Sequence, residues 1–250
     1  FWRPPVHGIR LSRKLLGSGV SSSFSSEFGR TRRLDEPHEF GYFWSELLNY
    51  QLPLEKSEAE GEAIDWGRVK QVVANMTDAF QSPIVFKSFF LGWHIEQIQG
   101  VLPKSCFLRV RRSPLDTALS LMHMRRQMLG SVDEWASLRP KQYAWLRHRP
   151  YWEQVAGQVY FLDQSLAREI DRVQSRNVVE FDYETICQDP SGAVDAVAAI
   201  LLENGWTPEV LGSIPRRFEA KRPVYENSSD VRLLENALAD FYSGRYDGRE

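Results

Sequence analysis

Apolar residues recur along the chain with two different periods, and these periods predict alternating helices and strands. Helical spacing predicts amphipathic helices in four stretches, residues 37–50, 66–80, 151–173 and 230–242. Three short apolar runs have the β-branched and aromatic content of buried parallel strands, residues 83–87, 106–110 and 177–181. This order predicts an α/β fold in which helices cover both faces of a central parallel sheet.

Two stretches between these elements have a different pattern. Residues 51–65 are acidic, contain a proline and show no apolar period, which is typical of a surface loop. Residues 132–149 are rich in Trp, Tyr and Arg, and they predict one more helix before the long helix 151–173.

The stretch 105–127 combines a strand, a turn and the start of a helix. Proline cannot continue a central strand but suits the first turn of a helix, so Ser113 is predicted as the N-cap and Pro114 as the first helical residue. Asp116 is the acidic residue that the helix dipole favours there. Arg112 ends the strand and Ser120 lies two turns into the helix. The junction between a strand end and a helix start is where open α/β sheets bind phosphates, and an arginine adds a two-pronged donor.

Composition limits the classes of protein to consider. The chain has 250 residues and 42% apolar content, enough for one sizeable core. Its net charge of -2 argues against a nucleic-acid binder driven by bulk charge, so an anion site must be local. The two cysteines, Cys106 and Cys187, form neither a disulfide framework nor a metal-binding spacing. No apolar run approaches the roughly 20 residues of a membrane helix, so no integral membrane segment is predicted.

Residues 112–120 read Arg-Ser-Pro-Leu-Asp-Thr-Ala-Leu-Ser. This segment resembles the Arg-x-Pro-x-Asp-x-x-x-Ser signature of sulfotransferases that use 3′-phosphoadenosine-5′-phosphosulfate (PAPS). In that family the arginine and the serine hold the 3′-phosphate, which implies the same role for Arg112 and Ser120. Leu115 replaces the family's usual Arg or Lys. The resemblance implies a P-loop NTPase-like three-layer fold, one domain over residues 1–250, PAPS as co-substrate and no metal.

A second segment supports the resemblance through its order along the chain. Residues 83–116 run strand, Lys-Ser, helix, Leu-Pro, strand and signature, as in the family. The family's Lys-Ser or Lys-Thr follows its second strand, which implies that Lys87 acts on the transferring group. Charge that develops on the reacting oxygens is stabilised by such a cation.

The family's 5′-phosphosulfate loop matches poorly at the start of the chain. One alignment sets residues 5–10, Pro-Val-His-Gly-Ile-Arg, against it, and a second places Arg3 at the arginine of the motif. The candidate ligands of the phosphosulfate are therefore Arg3, His7, Gly8, Ile9 and Arg10. The strand expected before this loop is almost wholly missing, so we expect the domain to lack its first strand.

Transfer to a hydroxyl or an amine also needs a base that takes the nucleophile's proton. In the family, a glutamate soon after the first helix does this, and Glu27 matches it by position. Glu36, His38 and Glu39 are the alternatives.

Together these features predict a sulfotransferase that moves a sulfuryl group from PAPS to a hydroxyl, or an amine, of a small-molecule, carbohydrate, lipid or peptide acceptor. One alternative is a non-catalytic, sulfotransferase-like nucleotide-binding protein. A second is a nucleotide-dependent kinase of the same broad fold, although the chain lacks the G-x-x-x-x-G-K-[ST] motif of such kinases. We expect no nucleic-acid partner and a cytoplasmic location. Residues 132–149 lie where relatives build the acceptor pocket. Residues 216–229 form a basic stretch. In many members of the family a basic loop near the C-terminus reaches the 3′-phosphate, but no motif here matches it, and we expect a solvated loop.

Overall fold

The computed structural model describes residues 40–81, 83–210, 212–222 and 227–246. Its helices in these ranges are α1 Gly41–Leu47, α2 Glu58–Glu62, α3 Trp66–Phe80, α4 Ile95–Val101, α5 Pro114–Leu129, α6 Tyr143–Leu146, α7 Tyr151–Asp171, α8 Tyr183–Gln188, α9 Pro190–Glu203 and α10 Ser228–Tyr242. The strands are β1 Phe107–Arg111 and β2 Val178–Asp182. Helices and strands are thus mixed, with helices in the majority.

The two strands pair in parallel over their whole length. Phe107 lies opposite Val178 and Arg111 opposite Asp182. On one face of the sheet, Arg109 forms ion pairs with Asp163 of α7 at 2.5 Å and with its neighbour Glu180 at 3.1 Å. These contacts join β1, β2 and α7. Strands 106–110 and 177–181 of the sequence analysis are therefore confirmed to within one residue.

The predicted strand over residues 83–87 is wrong. Residues 83–88 have no strand assignment, and in the described part of the chain the sheet contains only β1 and β2. Side chains alternate in burial along this segment, so Phe86 packs against Trp44 at a ring distance of 4.9 Å while Val85 is 94% exposed. Side chains of this apolar run pack against a neighbouring hydrophobic core, and its backbone does not pair with the sheet. A P-loop NTPase-like fold is thus not established by a two-stranded sheet flanked by helices.

Two hydrophobic cores hold the helices together. The larger core joins α5, α7 and α10 through buried side chains that include Leu119, Met122, Val155, Leu234 and Phe241. The smaller core joins α1 and α3 to the turn before α4 through Trp44, Leu48, Val69 and Trp93. These helices have the apolar stripes that the sequence predicts.

The prediction of a helix over residues 132–149 is wrong, because only Tyr143–Leu146 is helical there. Its backbone is instead held by buried side chains of two flanking helices. Gln158 donates to the carbonyls of Ala136 at 2.9 Å and Leu138 at 2.6 Å, and Gln154 donates to that of Arg149 at 2.9 Å. Both glutamines accept hydrogen bonds from Arg125, which is fully buried.

The stretch 51–65 also differs from the prediction, because it contains α2. Ser57 caps this helix and Glu60 completes the capping box by accepting from the backbone N–H of Ser57 at 2.8 Å. A capping box needs only a Ser and a Glu three residues apart, so an acidic stretch without an apolar period still starts a helix. None of the helices in the described ranges is long and apolar enough to span a bilayer.

Candidate anion-binding site

The junction between β1 and α5 is built as the sequence predicts. Ser113 is the N-cap of α5 and accepts a hydrogen bond from the Asp116 N–H at 3.4 Å, and Pro114 is the first helical residue. Asp116 lies in the first turn. This turn places Arg112 at the carboxyl end of β1, directly before the N-terminus of a 16-residue helix.

The guanidinium of Arg112 is fixed from three sides. It donates through Nη2 to the Lys221 carbonyl oxygen, and the same nitrogen lies 3.7 Å from a carboxylate oxygen of Asp116. Its Cζ lies 5.0 Å from the ring centroid of Tyr183. The Arg112 Nε is buried and has no hydrogen-bond partner among the described residues. One donor of the guanidinium is therefore left over at a position where it is costly to leave unpaired.

The basic stretch that we expected to be a solvated loop docks onto this arginine. The Lys221 N–H donates to Tyr183 Oη at 3.1 Å, while the Lys221 carbonyl accepts from Arg112. Further back, the Phe218 N–H donates to the Cys187 carbonyl at 2.7 Å. The backbone of Phe218 and Lys221 is thus anchored to α8 and to Arg112, while the side chains of Arg216, Arg217, Lys221 and Arg222 are exposed to solvent, as expected of a solvated loop.

The docked loop encloses a small polar cleft of about 200 Å³. Its charged lining consists of Asp116, Glu184, Lys221 and Arg222. The lining therefore holds two cations and two carboxylates, and Arg112 lies 3.7 Å from one of these carboxylates, that of Asp116. Lys221 and Arg222 are exposed to solvent.

Ser120 lies one turn beyond Asp116 on α5 and is half-buried. Residues four apart lie on the same face of a helix, so Ser120 shares the face of Asp116. Arg112 contacts Asp116, and the chain thus places Arg112, Asp116 and Ser120 in sequence along one edge of the helix.

Lys87 is exposed, on the extended segment 83–88. Its Nζ lies 5.8 Å from the ring centroid of Phe89. Ser88 beside it has a buried hydroxyl with no hydrogen-bond partner in the described part of the chain. The Lys-Ser pair is therefore not at the end of a sheet strand, which corrects the position that the sequence predicts.

Several predicted site residues lie outside the described ranges. These are the candidate bases Glu27, Glu36, His38 and Glu39, and the candidate phosphosulfate ligands Arg3, His7, Gly8, Ile9 and Arg10. Their roles remain predictions from the sequence.

A second group of titratable side chains, not predicted from the sequence, is buried beside α4. Tyr50 Oη and His94 Nε2 are 2.7 Å apart, and both residues are buried. Burial lowers the pKa of His94 to about 4. Burial, followed by the nearby carboxylates of Glu55, Glu60 and Glu169, raises the pKa of Tyr50 far above its ordinary value. Both rings are therefore neutral at pH 7.

Comparison with known proteins identifies no relative. No family model, no curated protein and no solved structure matches this chain.

Proposed function

We propose that the protein is a PAPS-dependent sulfotransferase, and that Arg112 binds the 3′-phosphate of the nucleotide. The observation that carries this proposal is the fixed Arg112 at the end of β1, with a leftover Nε donor and a docked basic loop beside it. Residues 112–120 resemble the sulfotransferase signature, and this resemblance is the reason for comparing the geometry with that family.

The chemistry of the cleft fits a dianionic group. A phosphate monoester offers three acceptor oxygens, and a guanidinium presents planar pairs of donors to them. Lys221 and Arg222 add two exposed cations to the lining. Asp116, whose carboxylate lies 3.7 Å from Arg112 Nη2, restrains the guanidinium, which reduces the conformational entropy lost on binding.

The reaction would transfer one sulfuryl group. The bond between sulfur and the bridging phosphate oxygen breaks and its electron pair stays on that oxygen, which leaves 3′-phosphoadenosine-5′-phosphate (PAP). A new bond forms between sulfur and the acceptor oxygen. The acceptor's proton passes to a base, for which Glu27 is the first candidate and His38 the alternative. Lys87 would stabilise the negative charge that develops on the transferring group.

Calorimetric titration with PAP, AMP and ATP tests the proposal. We expect PAP to bind more tightly than AMP, because only PAP has the 3′-phosphate. Arg112→Ala should weaken PAP binding by roughly ten- to a hundredfold and leave AMP binding unchanged, since hydrogen bonds to charged groups contribute about 1.5–3 kcal/mol. Arg111→Ala is the matched control, because this exposed neighbour removes the same charge. Equal affinity for PAP and AMP would refute the proposal.

Nucleotide binding without sulfuryl transfer is the second candidate. It is favoured by the exposed position of Lys87 outside the sheet. Incubation of PAPS with a panel of hydroxyl acceptors distinguishes the two functions. A sulfotransferase releases PAP, whereas a binding protein binds PAP and releases none from PAPS.

A further inference from the structure

One side of the long helix α7 is covered by three short segments in a fixed order. Gln158, Ser165 and the C-cap Arg172 follow one another at intervals of seven residues, so they lie on the same side of the helix over about 21 Å. Each of these side chains binds a different segment. The outer surface of the three segments, which we call the charged strip, consists of Arg139, Arg147, Leu52, Leu54 and the glutamates of α2.

The end of the charged strip at Gln158 is positive. Gln158 donates to two backbone carbonyls just before Arg139. Arg139 Cζ lies 4.9 Å and Arg147 Cζ 5.9 Å from the ring centroid of Tyr143. The lysine and the third arginine of residues 139–149 are ion-paired inside the chain. Arg139 and Arg147, in contrast, form no ion pair with any described residue, so their charges are available to a partner.

The middle of the charged strip is apolar. Ser165 donates to the carboxylate of Glu55 at 2.6 Å, directly after Leu54. Leu54 forms a parallel bridge with Arg139, and its N–H donates to the Leu52 carbonyl at 2.8 Å. The side chains of Leu52 and Leu54 are nevertheless 57% and 37% exposed. Two leucines are thus held in solvent beside the arginines.

The end of the charged strip at Arg172 is negative. Arg172 lies within 3.6 Å of three carboxylates, those of Glu58 in α2, Glu96 and Glu169. Helix α2 reads Glu-Ala-Glu-Gly-Glu, and all three of its glutamates are exposed. Its last residue, Glu62, forms no ion pair in the described part of the chain. Carboxylates therefore outnumber cations at this end.

The order of cations, leucines and carboxylates restricts the partner of the charged strip. A nucleic acid or an anionic membrane would be repelled by α2, and a carbohydrate would leave the leucines uncovered. A second copy of the chain fits the whole strip. A twofold axis at the leucines places the positive end of each copy on the negative end of the other and the leucines on each other.

We propose that the charged strip is the interface of a homodimer. Leu52 and Leu54 of the two copies pack around the twofold axis, and Arg147 of each copy faces Glu62 of the other. The charged strip is about 21 Å long and about one helix diameter wide. This area is at or below the lower end of specific interfaces, about 1,200 Å² of total buried surface, so we expect a micromolar dissociation constant. The inference does not depend on the proposed nucleotide site.

Sedimentation velocity of the full chain from about 1 to 200 µM tests the inference, and we expect a monomer–dimer equilibrium that salt weakens. Arg147→Glu and Glu62→Arg each place like charges opposite one another twice in the dimer, and each should weaken it by at least about tenfold. An equimolar mixture of these two variants has opposite charges at both positions. The mixture should therefore form a heterodimer with an affinity within about threefold of the unchanged dimer.

The matched controls are Arg232→Glu and Glu235→Arg, at exposed positions of α10, which should change dimer affinity less than about twofold. A chain that stays monomeric throughout, or a dimer that Arg147→Glu leaves intact, would overturn the inference. So would a mixture of the two folded variants that stays monomeric. If Glu62→Arg does not fold by circular dichroism, Leu52→Asp decides in its place, with an expected loss of at least about tenfold. An unaffected dimer in that variant would overturn the inference as well.

Discussion

Arg112 and Tyr183 both bind the backbone of Lys221: Arg112 donates to the Lys221 carbonyl, and Tyr183 Oη accepts from the Lys221 N–H at 3.1 Å. The two side chains also contact each other, because the guanidinium lies over the tyrosine ring at 5.0 Å. The basic loop is therefore positioned by the residue that we assign to the nucleotide phosphate.

Tyr183→Phe should weaken PAP binding by about two- to tenfold. The substitution keeps the ring under Arg112 but removes the acceptor of the Lys221 N–H, a hydrogen bond of about 0.5–1.5 kcal/mol. Calorimetry with PAP measures the effect, and Tyr42→Phe, at a fully exposed tyrosine of α1, is the control. A PAP affinity equal to that of the unchanged protein would mean that the docked loop has no part in nucleotide binding.

Lys87→Ala should lower turnover by at least tenfold with little change in PAP affinity. An interaction made mainly in the transition state appears in the rate and not in ground-state binding. Turnover is followed as PAP released from PAPS, and Lys70→Ala is a control at an exposed lysine of α3. If PAP binding fell and turnover did not, Lys87 would be a ground-state ligand.

His94 should make the fold sensitive to mild acid. Its pKa is lowered from 6.5 to about 4 by burial, so the unfolded chain takes up a proton at a pH where the folded chain does not. The free energy of unfolding therefore falls as pH decreases from 6.5 towards 4, by about 2 kcal/mol between pH 7 and pH 5.

Urea unfolding at pH 7 and pH 5 measures this change. His94→Gln should reduce the pH dependence, while His148→Gln, at an exposed position, should leave it unchanged. The buried carboxyl of Glu169 acts in the opposite direction, because burial raises its pKa and stability is lost as pH rises through that value. Equal pH dependence in the His94 variant and the unchanged protein would contradict the assignment.

Gly157→Ala should destabilise the protein by about 1–3 kcal/mol, the cost of overpacking a core. A Cβ at this position of α7 would meet Leu146 and would lie 2.8 Å from Phe241 Cζ. Gly100→Ala in α4 is the matched control, since nothing lies within 4 Å of its Cβ position. Helix propensity alone favours alanine at both sites by up to about 1 kcal/mol, so only close packing makes the two results differ. Thermal unfolding of both variants measures the difference.

The sequence predicts the elements whose stability is local. The N-cap Ser113, the proline that follows and the apolar stripes of α3, α7 and α10 all lie where expected, because capping and periodicity depend on near neighbours. Residues 83–87 were misassigned because an apolar run is equally suited to a strand and to an extended segment packed on Trp44. The stretch 132–149 was misassigned because Arg125, Gln154 and Gln158 satisfy its carbonyls from other helices.

At the candidate site, too, the sequence predicts what depends on near neighbours and misses what depends on long-range contacts. Arg112 was found because strand and helix signals adjoin it. The sequence does not place Tyr183, Lys221 and Arg222 at the site, because long-range contacts bring them there. Tyr183 and Lys221 are separated by 38 positions along the chain, and Arg112 and Lys221 by 109. The basic composition of residues 216–222 was the one available signal.

Glu55 and Lys141 are 86 positions apart along the chain, and the Lys141 N–H donates to the Glu55 carboxylate at 3.4 Å. Ser165 donates to the same carboxylate at 2.6 Å from α7. Such a contact closes a long loop, and the conformational entropy lost on closing it must be offset by packing elsewhere in the fold. Amide protons of Glu55 and Arg139 should therefore exchange with deuterium only through global unfolding, in contrast to those of the exposed loop tips.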